Sequence, residues 1–97
     1  MRNSKREVEC LKRLQELSPV YDELISFFAQ EYLISKEELK LIRNSPDQGR
    51  LLQAKLASLS ADRKIQLLEF EWVILPTERI KISIVTDRGF KEFTAEV

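Results

Sequence analysis

The apolar positions in the first half of the chain recur with the period of an α-helix. Within residues 4–17, charged side chains separate Val8, Leu11 and Leu14 or Leu17, which lie at near-helical spacing. Pro19 suits the first position of a second helix, because the backbone N–H that proline lacks would have no helical partner there. In residues 19–32, one helical face collects Tyr21, Leu24, Ile25, Phe28 and Tyr32.

Start signals divide the stretch that follows. Ser35 with Glu38 is a capping box, since the hydroxyl can accept from a backbone N–H of the first turn, and it predicts a helix over 36–44. A second start signal comprises Ser45, Pro46, Asp47 and Gln48. The inner face of the fourth helix is marked by Leu52, Leu56 and Leu59. A final turn or two is predicted near Ser60, with Ala61, Ile65 and Leu68 aligned, either as a fifth helix or as the bent end of the fourth.

Near Phe70 the period changes from about 3.6 residues to 2. Apolar and β-branched residues alternate in 70–75 and in 79–85, and Pro76-Thr77-Glu78 separates the two runs as a hairpin loop would. The tetrapeptide at 86–89 predicts a second turn, because Gly89 is free to take a positive φ. Residues 90–97 are then either a third strand, with Phe93, Ala95 and Val97 on one face, or the first turn of a short helix.

These patterns predict an α+β fold, in which an N-terminal bundle of four to five short helices precedes a C-terminal antiparallel β-hairpin or three-stranded meander. The 97 residues are of the size of a single domain, with a helical part over 1–68 and a β part over 69–97. A chain of this length buries roughly two-thirds of its unfolded surface, which is enough for one modest core.

Charge is balanced over the whole chain but not along it. The net charge is zero, so no global field favours nucleic acid or a membrane. Residues 1–13 carry five basic and two acidic side chains, whereas residues 14–38 carry six acidic and one basic. No apolar run approaches the roughly 20 residues that span a bilayer. The lone cysteine forms no internal disulfide, and it suits a cytoplasmic location.

The side chains on which most enzyme chemistry depends are scarce. There is no histidine, which removes the commonest general base and metal ligand. Gly49 and Gly89 are isolated, so no glycine-rich loop is present to cradle a phosphate. Cys10 suits a buried structural thiol better than a reactive one. We therefore expect a protein that is not an enzyme and that needs neither metal nor cofactor.

The pattern of the terminal hairpin predicts a surface that binds a partner protein. Side chains alternate across a strand, so only one face of the hairpin can rest on the helices, and either choice for the first strand exposes apolar groups. The residues expected to bind a partner are Trp72, Val73, Leu75 and Val85. For Trp72, a place in the core under the helices is the alternative, since a lone tryptophan suits either position. We expect a regulator or adaptor that binds another protein, or a second copy of itself as a homodimer.

A second interpretation comes from the order of the elements. A short helix, a turn, another helix and a terminal hairpin that contains RIKISIVTDRG resemble the winged-helix DNA-binding regulators over about 60 residues. The resemblance implies a recognition helix with Gln48, Arg50, Gln53 and Lys55 toward the groove, and a wing with Arg79 and Lys81. Residues 49–97 carry eight basic and seven acidic side chains, whereas DNA binders usually show a clear basic footprint. We rank nucleic acid below protein as the partner.

Overall fold

The computed structural model describes residues 4–17 and 19–97 of the chain. Residues 1–3 of the basic N-terminal stretch, and residue 18, lie outside the described part. Four helices precede three strands: α1 (Ser4–Glu16), α2 (Val20–Gln30), α3 (Lys36–Arg43), α4 (Gln48–Ala61), β1 (Gln66–Val73), β2 (Arg79–Thr86) and β3 (Gly89–Glu96). The strands form one antiparallel sheet in the order β1-β2-β3, so the predicted α+β fold with a C-terminal meander is confirmed.

Helix α2 ends earlier than its apolar spacing predicts, because a Schellman motif closes it. Tyr32 takes a φ of 56° and donates its N–H to the carbonyl of Ala29, and the N–H of Leu33 reaches the carbonyl of Phe28. The placement of Tyr32 on the inner face of this helix is therefore wrong. Its side chain is 86% exposed, whereas the other four predicted positions of that face are buried.

Helix α4 is closed in the same way, and this closure removes the predicted fifth helix. Arg63 takes a φ of 60°, its N–H donates to the carbonyl of Ser60, and the N–H of Lys64 donates to the carbonyl of Leu59. The chain enters β1 at Gln66, so the extension of the helical part to residue 68 is wrong at its end.

The starts of α3 and α4 follow their predicted capping signals only in part. Ser35 Oγ accepts from the Glu38 N–H at 3.1 Å and caps α3, as predicted. The carboxylate of Glu38 instead pairs with Lys55, 3.1 Å away on α4. Helix α4 begins two residues beyond Pro46, with Asp47 at its N-cap, and Ser45 Oγ accepts from the Asp47 N–H at 3.0 Å.

The sheet packs one face on the helices. Its centre is the isoleucine stripe of β2, in which Ile80, Ile82 and Ile84 are wholly buried. Residues opposite the stripe complete the inner face, from β1 Leu67, Phe70 and Trp72 and from β3 Phe93 and Ala95. The Phe93 ring meets Phe27 of α2 edge-on, with centroids 5.5 Å apart. Residues 89–96 therefore form a strand, with Val97 outside the buried set.

Helices α1 and α4 approach closely at Gly49. A Cβ atom on Gly49 would lie 2.9 Å from Lys12 Cγ and 3.0 Å from the carbonyl oxygen of Val8, so a larger residue would push the helices apart. Next to this crossing, Gln53 donates to the carboxylate of the buried Glu7 at 3.3 Å. This crossing fixes the position of α1, from which Arg6 and Arg13 contact Trp72 and Glu78.

Candidate interaction surface

The outer face of the sheet is polar across its middle. Arg79 Nη2 lies 3.1 Å from Glu71, and Lys81 Nζ lies 2.9 Å from Glu92 and 3.5 Å from Glu69, so ion pairs join all three strands. The hydrogen bond to Glu92 raises the pKa of Lys81 above its usual value. Beneath these charged side chains, Ser83 is wholly buried, and its hydroxyl donates to the Glu69 carboxylate. This part of the face is not an apolar surface.

The four residues expected to bind a partner do not come together. Trp72 lies on the helix-facing side, half-buried against the core. Val73 pairs with Arg79 at one end of the outer face, and Val85 pairs with Phe90 at the other. Arg79 and Val85 are six residue steps apart along β2, which is about 20 Å. Trp72, Val73 and Leu75 lie at the same end of the sheet, but of these Trp72 faces the helices, and only Val73 and Leu75 adjoin the exposed β1–β2 loop.

That region is the β1–β2 loop, where apolar side chains face solvent. Ile74 is 60% exposed and Leu75 79% exposed, and the exposed Pro76 follows them. Val97, which is 68% exposed, is held beside the loop because its N–H donates to the Glu78 carbonyl at 3.0 Å. We call Ile74, Leu75, Pro76 and Val97 the apolar tip.

Glu78 fixes the base of the apolar tip. Its carboxylate accepts from Arg13 Nε at 2.8 Å and from Arg13 Nη2 at 2.6 Å, a two-pronged ion pair that joins α1 to the loop. Trp72 Nε1 donates to the same carboxylate at 3.1 Å. The hydrogen bond from Arg13 is the main cause that lowers the pKa of the Glu78 carboxyl below its usual range. The loop is thus anchored to α1 and to the indole at once.

Arg6 adds a second contact between α1 and the same region. Its guanidinium carbon lies 5.8 Å from the centre of the Trp72 ring, and Nη2 donates to the Trp72 carbonyl at 2.9 Å. The half-buried indole therefore contacts Arg6 of α1 and Glu78 and packs against the core. Trp72 is thus part of the anchored base of the loop, through its hydrogen bond to Glu78.

The residues expected to face DNA do not share one surface, and the basic ones among them form ion pairs with carboxylates of this chain. Positions 48 and 55 lie on one side of α4, while positions 50 and 53 lie roughly opposite, since each residue turns the helix by about 100°. Gln48 accepts from the Tyr21 hydroxyl and donates to the Arg43 carbonyl. Gln53 contacts Glu7, Arg50 pairs with Asp47, and Lys55 pairs with Glu38. On the sheet, Arg79 and Lys81 form the ion pairs described above.

Cys10 is buried in α1, and burial raises the pKa of its thiol to about 12. Within residues 4–17 and 19–97, no three or more acidic or cysteine side chains are grouped to hold a metal ion. None of the helices in those ranges combines the length and the apolar character needed to cross a bilayer.

Sequence reasoning missed the anchor of the apolar tip and one groove. Arg13 and Glu78 lie 65 residues apart, and no periodic signal connects them. Lys36 and Lys40 are spaced by one helical turn, which is visible in the sequence, but only the structure places them beside an apolar groove between α2 and α3. Comparisons with protein-family models, with curated proteins and with solved structures found no match for this chain.

Proposed function

We propose that this chain is a small non-enzymatic protein-interaction module, a regulator or adaptor that acts by binding a partner protein through the apolar tip. The observation that carries the proposal is the cluster of exposed apolar side chains at Ile74, Leu75 and Pro76. Clustered exposure of this kind costs solubility, and it commonly marks a binding surface.

The anchoring of the loop supports the same proposal. A flexible loop loses conformational entropy when a partner orders it, whereas a loop already held in place does not. The contacts of Glu78 with Arg13 and Trp72 hold the base of this loop before any partner arrives. Absence of histidine from the sequence and burial of its lone thiol at Cys10 argue for binding rather than catalysis.

The test compares two lysine substitutions in one loop. Leu75→Lys places a charge at the centre of the apolar tip, whereas Thr77→Lys places the same charge two residues away at an exposed polar position. Both proteins should fold like the wild type, because neither side chain is part of the core. We expect a protein retained from native-host lysate by wild type and by Thr77→Lys to be lost with Leu75→Lys.

A homodimer is one form that this function can take, and light scattering over a concentration series detects it. A dimer mass that disappears with Leu75→Lys and persists with Thr77→Lys would assign the tip to self-association. A monomer at all concentrations, with equal retention of host proteins by both variants, would contradict the proposal.

A further inference from the structure

A groove of about 390 Å³ runs between α2 and α3, away from the apolar tip. Its floor is apolar, formed by Ile25 and Leu39, each of which is almost fully buried. The α2 wall carries the small side chains Ser26 and Ala29, so that side leaves room for an incoming group. The α3 wall is built from long basic side chains.

The basic wall follows from helical spacing. Lys36, Lys40 and Arg43 lie at i, i+4 and i+7 on α3, so they share one face of the helix. Arg43 is neutralised by Asp22, whose carboxylate lies 3.1 Å away across the groove end. Lys36 and Lys40 form no ion pair with any residue in the described part of the chain.

Two lysines one turn apart repel each other, and no carboxylate of α2 lies within 4 Å of either amine, since Asp22 pairs with Arg43. Lys12, Lys55 and Lys81 each have a carboxylate within 4 Å, whereas Lys64 and Lys91, like the two groove lysines, have none in the described part of the chain. The groove differs from those other sites because its two lysines flank an apolar floor. The groove therefore combines a hydrophobic floor with two lysine amines that have no carboxylate within 4 Å in the described part of the chain. Such a surface fits an occupant with apolar anchors flanked by carboxylates.

We infer that the α2–α3 groove binds an acidic amphipathic helix of a partner protein. A helix places apolar side chains three and four residues apart on one face, which matches a floor built from two packed helices. Carboxylates one turn apart on its flank would meet Lys36 and Lys40, which have the same spacing. The inference rests on the proposed interaction function but names a second surface, so each surface can fail alone.

Selection from a phage-displayed library of random peptides, about 16 residues long, tests the inference without presuming a partner. We expect enriched peptides to carry apolar residues at helical spacing and an excess of Asp and Glu. Binding should weaken at least about tenfold with Lys36→Glu/Lys40→Glu, and it should weaken as salt is raised. Arg63→Glu/Lys64→Glu is the matched control, because it makes the same charge change at residues that do not line the groove.

A second measurement locates the peptide on the protein. Amide shifts of Ser26, Ala29, Lys36 and Lys40 should move on titration of the strongest enriched peptide, and Ala29→Trp should block the groove and abolish those changes. Leu75→Lys should leave them intact, which separates this surface from the apolar tip. The inference is overturned by no enrichment, by enriched peptides without acidic excess, or by equal affinity for both double variants. Binding of random duplex DNA that is lost only with Lys36→Glu/Lys40→Glu would also overturn it, by assigning the groove to nucleic acid.

Discussion

Replacement of Ile82 by alanine measures how much the inward stripe of β2 stabilises the fold. Ile82 lies at the centre of the middle strand, opposite Phe70 and Phe93, and none of its surface is exposed. The substitution removes three carbon atoms, and at about 0.8 kcal/mol for each the lost transfer free energy is about 2.4 kcal/mol. The cavity left between two aromatic rings raises the cost to about 3–4 kcal/mol.

Domains are stable by roughly 5–15 kcal/mol, so this single change removes a large share of the total. For a domain of this size it lowers the melting temperature by roughly 12–30 °C. Ile82→Val removes one carbon atom and should cost only about 1 kcal/mol. The matched control is Ile74→Ala, since Ile74 is the same residue type at an exposed position and should cost less than about 0.5 kcal/mol.

Urea unfolding gives these free energies, and the single tryptophan provides the signal. Trp72 is half-buried against the core, so its emission should report loss of the sheet, while far-ultraviolet circular dichroism reports the helices. Coincident transitions would support a two-state analysis. If Ile82→Ala costs less than about 1 kcal/mol, or if Ile74→Ala costs as much as Ile82→Ala, the inward orientation of the stripe is refuted.

Two further predictions concern ionisable groups. Burial raises the pKa of the Cys10 thiol to about 12. Its contribution to the free energy of unfolding is therefore complete below the unfolded pKa of about 8.5 and is lost as pH rises toward the folded pKa. Urea unfolding at alkaline pH should show stability falling more steeply with pH for wild type than for Cys10→Ala, and equal slopes would contradict this. Glu78 has a lowered pKa because Arg13 donates to it, so its contribution is present above the unfolded value of about 4.3 and is lost as pH falls. Glu78→Gln should therefore be less stable than wild type near neutral pH and should approach the wild-type stability in acid. A stability difference that does not change with pH, or an equal difference for Glu71→Gln, would argue against the anchoring of the loop by Glu78.

Sequence periodicity predicts the elements of this chain where the local pattern and the tertiary environment agree. The alternation through β2 is regular because the strand is central and one face is buried, so the isoleucine stripe is visible without a structure. Ser35 is likewise visible, since a cap needs only residues of the same turn.

The errors have identifiable physical causes. A β-bulge shifts the register between Leu67 and Glu69, so apolar residues on either side of it lose their alternation, and Ile65 with Leu68 imitates a helical spacing. Helices α2 and α4 both end with a left-handed residue that is neither Gly nor Asn, namely Tyr32 and Arg63. Because the usual stop signal is missing, spacing alone extended both helices too far.

The candidate surfaces were less accessible to sequence reasoning than the fold. Leu75 is 79% exposed, and its contact with a partner stays a prediction. Nothing local in the sequence indicates that the Trp72 side chain contacts Glu78 and Arg6. The sequence also does not show whether Lys36 and Lys40 have ion-pair partners, because those partners can come from any part of the folded chain.

The ion pair between Arg13 and Glu78 also has a consequence for the order in which the chain can fold during synthesis. Helix α1 is synthesised before α4 and the sheet, yet it packs on α4, and Arg13 pairs with a loop that is made 65 residues later. At about 5–20 residues per second, that loop follows roughly 3–13 s after Arg13. For this interval the apolar side of α1, with Leu11 and Leu14, has no sheet to complete its burial. During this interval chaperones and proteases can reach the segment around Arg13 that holds the base of the apolar tip in the folded protein.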